Sequence, residues 1–203
     1  MDANYGSTSR RAFLAAVGLG AGVAFGVSRR ALIGPPVPKR LRPPGAAGEE
    51  ELLAACIRCG QCVLVCPPGA LELAGLADGL ASGVPFFDSR ANPCDLCAGE
   101  DELRCIESCP TPALGALGER PDPADTRIGI AVIDQDRCFA WQNTICRSCW
   151  HACPYPNAAI VLDYKSRPEI VPELCTGCGL CDRACLTEPS SIHIAPFGEG
   201  VTS

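Results

Sequence analysis

The chain has 203 residues, a formal charge of −6 and 16 cysteines, about 8% of its length and close to the level that marks a cysteine-dominated fold. Six Phe, three Tyr and two Trp are its only aromatic residues, while 21 Gly and 19 Pro make turns abundant. This argues against a large aromatic core, so something covalent or metallic must help hold the chain together. The acidic balance also argues against a nucleic-acid binder that depends on a basic surface. A disulfide scaffold, a zinc protein and an iron–sulfur protein remain.

The first element is an address. Arg10 and Arg11 precede an uncharged run from Ala12 to Ser28, which Arg29 and Arg30 close. Five Ala and four Gly make this 17-residue run weakly hydrophobic, short of the roughly 20 strongly apolar residues of a membrane span. Residues 1–30 therefore resemble a twin-arginine export signal, with a marginal membrane anchor as the alternative. Export by this route follows folding in a reducing cytoplasm, which weakens the disulfide reading. Without residues 1–30, the remainder carries 13 basic and 22 acidic side chains, a formal −9. Residues 31–48 read as a Pro-rich linker, with GPPVPKRLRPPGAAG from Gly34 to Gly48 as a stiff tether. The stretch from Glu49 to Ala55 reads as a short helix whose three leading acids suit the positive end of the helix dipole.

The cysteines then fall into four groups of four, with none left over. Cys56, Cys59, Cys62 and Cys66 are spaced C-x2-C-x2-C-x3-C, as are Cys175, Cys178, Cys181 and Cys185. Between these lie Cys94, Cys97, Cys105 and Cys109, spaced C-x2-C-x7-C-x3-C, and Cys138, Cys146, Cys149 and Cys153, spaced C-x7-C-x2-C-x3-C. Pro67, Pro110 and Pro154 follow the fourth cysteine of the first three groups, whereas Leu186 stands there in the last. The C-x2-C-x2-C-x3-C-P run is a known signature for 4Fe–4S ligation, the fourth cysteine serving a second cluster. A zinc site more commonly uses two separated C-x2-C pairs, and disulfides need only pairs. Neither explains a fourfold x3 before the last cysteine. All sixteen cysteines are thus expected to ligate iron, in four 4Fe–4S clusters.

Short apolar runs flank the groups. Gly129–Asp134, Ala159–Tyr164, Glu169–Val171 and Ser191–Ala195 read as strands. Ala70–Ala74 is open between strand and helix, and Pro112–Leu117 reads as the start of a strand followed by a loop. The x7 insertions read as surface loops. The expected class is α+β, with two ferredoxin-like two-cluster modules inside one four-cluster domain over residues 49–200. The regular groups lie outside and the expanded ones inside, which suggests nesting. Cys185 would then complete the first group, Cys66 the fourth, Cys153 the second and Cys109 the third. Trp141 and Trp150 are expected to pack over clusters, and His151 and His193 to be cluster-flanking or structural. With no Ser–His–Asp set, phosphate loop or spare cysteine, no catalytic residue is expected, and the chain reads as an electron-transfer protein rather than an enzyme.

The segment Leu41-Arg42-Pro43-Pro44-Gly45-Ala46 before Cys56-Ile57-Arg58-Cys59-Gly60-Gln61-Cys62 resembles the NapG/MauM family. The expanded third group, the Gly129–Asp134 strand, Cys175-Thr176-Gly177-Cys178-Gly179 and the leader are similar as well. The acidic insertion Ala98–Arg104 and Leu186 are departures. The resemblance implies a periplasmic four-cluster protein of nitrate reduction or methylamine use. It would take electrons from a membrane quinol dehydrogenase (NapH-like) and pass them toward a periplasmic oxidoreductase. The alternative is the iron–sulfur subunit of a molybdenum oxidoreductase; a purely structural role for the clusters is a third reading.

Overall fold

The computed structural model describes residues 40–46, 48–115 and 122–196. The leader and most of the tether fall outside them. Among the described residues no helix is long and apolar enough to cross a membrane.

The elements are short, because cysteine loops interrupt every periodic run. Helix α1 spans Glu49–Ala55 and buries Leu52, with Glu49, Glu50 and Glu51 in its first turn. Strands β1 (Leu71–Leu73) and β2 (Pro85–Phe87) pair antiparallel, with Leu71 opposite Phe87. Of these, Leu71 and Phe87 face the core, while Glu72 and Leu73 are exposed. The ambiguous run at residues 70–74 is thus a strand. Short helices α2 (Gln61–Leu64) and α3 (Arg104–Glu107) follow the cysteine loops of the first two groups and pack on each other.

The second half repeats the scheme. Strand β3 (Gly129–Ile133) pairs antiparallel with β6 (Ile192–Pro196), and β4 (Ile160–Leu162) with β5 (Pro168–Ile170). In β6, Ile192 and Ile194 turn inward and His193 outward. Helices α4 (Ser148–Ala152) and α5 (Leu180–Arg183) again follow cysteine loops and pack together. The β4–β5 turn is closed by Asp163, whose carboxylate accepts from the N–H groups of Lys165 and Arg167 at 2.8 and 2.9 Å. All four expected strands are present, each within a residue or two of its expected bounds. The Pro112–Leu117 run yields only turns over its described part.

Two expectations need correction. Residues 40–46 are no linker. Leu41 bridges Phe87 of β2, with the Phe87 N–H donating to the Leu41 carbonyl at 3.1 Å. Pro43 and Pro44 are fully buried, and the Gly45 carbonyl accepts from Gly115 N–H at 2.9 Å. Arg40 and Arg42 reach Asp78 and the Pro85 carbonyl, at 2.9 and 3.0 Å. Proline cannot donate to a ladder, but here it fills a core that has few aromatic side chains.

Nor are the modules nested. Residues 40–115 form one and residues 122–196 the other, each joining consecutive groups through its own two-stranded hairpin. The β1–β2 and β4–β5 hairpins each return the chain directly from one group to the next, so neighbouring groups meet over a short connection. The matching insertions that suggested nesting are surface features. Ala98–Asp101 and Gln142–Ile145 are exposed.

Candidate metal centres

Each cysteine loop is built so that backbone N–H groups turn toward sulfur. Arg58 and Leu96 both adopt φ of +57°, and Gly177 φ of +73°, at the residue before the second cysteine of their groups. This left-handed position folds the loop back on its first cysteine. The N–H groups of Arg58 and Leu96 then donate to Cys56 Sγ and Cys94 Sγ, each at 3.4 Å. Arg104 N–H does the same for Cys97 at 3.4 Å, and Ala70 N–H for Cys66 at 3.3 Å. Such donors favour the thiolate form. At Gly177 a Cβ would lie 2.4 Å from backbone atoms of Gly129 in β3, so the fourth group's loop can seat against that strand only as glycine.

The sixteen cysteines are brought together as four quartets, each with three members from one group and the fourth from its neighbour. Cys56, Cys59, Cys62 and Cys109 line one pocket. Cys94, Cys97 and Cys105 gather with Cys66. Cys175, Cys178 and Cys181 line a pocket with Cys153, and Cys138, Cys146 and Cys149 line one with Cys185. No cysteine is in a disulfide. Among the described residues no three His, Cys, Asp or Glu side chains converge closely enough to hold a single metal ion. The quartets ring a space instead of a point.

Electrostatics describe the same grouping. Burial, then the charges of Cys109, Cys56 and Cys59, push the Cys62 thiol up to about 11. Burial pushes Cys94 up to about 12, opposed by Leu96 N–H and assisted by Cys178, Cys66 and Cys97. Cys149 is pushed to about 12 by burial and by Cys138 and Cys146. Cys105 and Cys181 are also pushed up, burial first and neighbouring cysteines next. Four thiols so placed repel one another as thiolates, and a cationic iron centre among them is the group that fits. Cys185 is the exception. Burial alone would raise it, but the Ser191 and Thr187 hydroxyls and the Thr187 N–H pull it down to about 6.

These contacts also order the quartets. Cys105 feels Cys62, Cys94 feels Cys178, and Cys181 feels Cys149. The row therefore runs from the Cys56 quartet through the Cys94 quartet and the Cys175 quartet to the Cys138 quartet. The middle junction joins the modules: Cys94 N–H donates to the Cys178 carbonyl at 2.9 Å. Beside it, Ser89 Oγ donates to Asp182 Oδ2 at 2.7 Å, and Arg90 donates to the carbonyls of Asp182 and, at 2.9 Å, Cys185. Asp182 is buried, and its Oδ1 has no partner among the described residues. In the two middle quartets, all six cysteines contributed by groups two and four are buried. At one end Cys59 is exposed, and at the other Cys146, Cys149 and Cys185 are half-buried.

The junction residues carry no sequence motif, and reading the sequence missed them. Thr187 and Ser191 were missed too, although Leu186 in the place of proline was a signal there. Trp150 is partly buried against the cysteine-lined core. Trp141 lies under the Arg167 guanidinium, 4.5 Å from its ring centre, and Trp150 hydrogen-bonds Asn157 and packs edge-on against His151. His151 and His193 are exposed.

Comparison with known proteins agrees with this site. The 4Fe-4S binding domain family matches residues 53–72, which hold the first group. The ferredoxin-type protein NapG of Escherichia coli is 39% identical over 195 residues, covering 91% of this chain and 80% of that protein. The chain belongs to the NapG/MauM family of ferredoxin-type proteins. The methylamine utilization ferredoxin-type protein MauM of Paracoccus denitrificans is 36% identical over 206 residues, covering 95% of this chain and 90% of the relative. MauM of Methylorubrum extorquens is 36% identical over 166 residues, with 78% and 73% covered. As a member of this family, the chain is an iron–sulfur electron-transfer protein of ferredoxin type.

Proposed function

We propose that this protein is an exported, periplasmic carrier with four 4Fe–4S clusters, receiving electrons from a membrane quinol dehydrogenase of NapH type. It hands them to a periplasmic oxidoreductase such as a nitrate reductase or an enzyme of methylamine oxidation. The observation that carries this reading is the row of cysteine quartets, most deeply buried in the middle, with Cys59 exposed at one end and Cys146, Cys149 and Cys185 half-buried at the other. Bound there, each 4Fe–4S cluster supplies a one-electron redox centre.

The chain's own residues hold, space and insulate these centres. Cys56, Cys59, Cys62 and Cys109 hold the first, and Cys94, Cys97, Cys105 and Cys66 the second. Cys175, Cys178, Cys181 and Cys153 hold the third along the row, and Cys138, Cys146, Cys149 and Cys185 the last. Buried Leu96, Ala131, Ile160 and Ile194 keep water from the middle of the row. Both ends have apolar rims suited to redox partners. At one end are Ile57 and Leu80, 62% and 86% exposed, with Arg58 donating to the Leu80 carbonyl at 3.0 Å. At the other are Phe139, Ile145 and Leu186. Large exposed apolar side chains at such positions favour transient docking. Twin-arginine export, read from residues 1–30, accounts for a prefolded cofactor protein in the periplasm.

The test is anaerobic purification of the full chain, followed by iron and acid-labile sulfide counting, EPR-monitored redox titration and co-purification from its host. We expect four clusters per chain, all reversibly reduced, and a membrane protein among the partners. Centres that cannot be cycled would overturn the carrier reading. A stable complex with a molybdopterin subunit and no membrane protein would replace it with an enzyme-subunit role.

A further inference from the structure

The four cysteines that cross between groups meet different surroundings at sulfur. After Cys66 come Pro67 and Pro68, neither with an N–H, and its sulfur accepts from Ala70 N–H at 3.3 Å. Cys109 Sγ has the Thr111 hydroxyl at 3.7 Å. Cys153 accepts from the Tyr155 N–H. Cys185, where leucine replaces the proline, has Thr187 Oγ1 at 3.2 Å and Ser191 Oγ at 3.3 Å. Both hydroxyl residues are buried, 9% and 2% exposed.

The direction of these bonds follows from proton counting. Thr187 Oγ1 accepts from Ser191 N–H at 2.7 Å, which leaves its own proton free for the sulfur. A cysteine bound to iron carries no proton, so both hydroxyls donate to Cys185. The result is a chain from Ser191 N–H through the Thr187 hydroxyl to sulfur, with the Ser191 hydroxyl as a second donor. Bonds to an anionic acceptor are roughly twice as strong as neutral ones, and they strengthen as negative charge on the acceptor grows. Reduction adds that charge, and hydrogen bonds to the sulfurs are among the features that set cluster potential.

We propose that Thr187 and Ser191 make the centre held by Cys138, Cys146, Cys149 and Cys185 the most readily reduced of the four, so that this end of the row faces the electron acceptor. This rests on the four-cluster carrier reading. One electron enters from the quinol-oxidising donor at the Cys56 end and one leaves to the periplasmic oxidoreductase at the Cys138 end. No bond is made or broken in the chain. Thr187 and Ser191 are tuning residues that act through the Cys185 sulfur.

The experiment is EPR-monitored redox titration of the full-length holoprotein, with Cys185→Ser identifying the signal of this centre. In the wild type that signal is expected to titrate at the highest potential. Ser191→Ala, which removes one oxygen, is expected to lower its one-electron reduction equilibrium about tenfold, ~59 mV, with the other three unmoved. Thr187→Val should act in the same direction and Thr187→Ser should restore the wild-type value. Either variant that keeps its iron decides the question. A Cys185 signal that is not the highest in the wild type, or that stays in place in these variants, overturns the inference while leaving the carrier reading intact. A wild-type chain with fewer than four reducible clusters defeats the carrier reading itself.

Discussion

The two modules hold their quartets by the same cysteine loops but close around them differently. The second is bounded by β3 and β6, paired from Gly129 with Pro196 to Ile133 with Ile192. The first has no such sheet among its described residues. Its outer edge is the Leu41 bridge, the Gly45–Gly115 hydrogen bond and the buried Pro43 and Pro44. A shared cysteine framework on unlike borders indicates that the loops and the groups they grip define the fold, and that strands finish it. It also accounts for a thin aromatic core in a folded chain: quartets stand where large side chains would otherwise meet.

The largest effect should come from taking the iron away. Chelation under reducing conditions is expected to remove the cooperative unfolding transition of both modules together, since none of the three two-stranded sheets buries enough to fold alone. Circular dichroism and thermal melts check this. A second module that keeps β3–β6 and melts cooperatively without iron would break the parity of the two halves.

Next come the close approaches on each border. Gly177→Ala places a Cβ against Gly129 backbone at a φ of +73°, and a loss of about 3 kcal/mol or more is expected. Gly45→Ala, at φ of +81°, meets Gly115 N and the movable tip of Ile106, both at 2.8 Å, and should cost less. Denaturant unfolding of the two holoproteins ranks them. The reverse order would show that the proline border is the stiffer one.

Smaller again is the junction between modules. Arg90→Ala leaves the carbonyls of Asp182 and Cys185 without that donor and should cost about 1–3 kcal/mol, read as a fall in denaturant midpoint. The smallest effect belongs to the exposed insertion. Arg104 pairs with Glu100 and Glu107 at the surface, and Arg104→Ala should leave the melting temperature within error. A clear fall there would mean that the acidic loop braces the second quartet.

Much of this was legible in the sequence because cysteine spacing is a local geometric constraint. The four groups, the Glu49–Ala55 helix and strands such as Gly129–Ile133 could be read directly. Pairing was not, since a fourth cysteine shows that it leaves its loop but not where it arrives. That depends on hairpin connections and on α2 meeting α3, which are tertiary facts. The role of residues 40–46 was hidden because a Pro-rich run looks the same as tether or as core filling. Ser89, Arg90 and Asp182 meet across more than 90 positions of sequence, a contact no local pattern announces.

In the proposed holoprotein, four centres stand in a row and each module completes its own quartets. The most direct test is iron anomalous diffraction from crystals of the holoprotein. The expected result is four iron clusters in a row, with Cys66 on the cluster of Cys94, Cys97 and Cys105, and Cys94 beside Cys178 at the middle gap. Cys66 on the cluster of Cys175, Cys178 and Cys181, or a row broken between the modules, would contradict it.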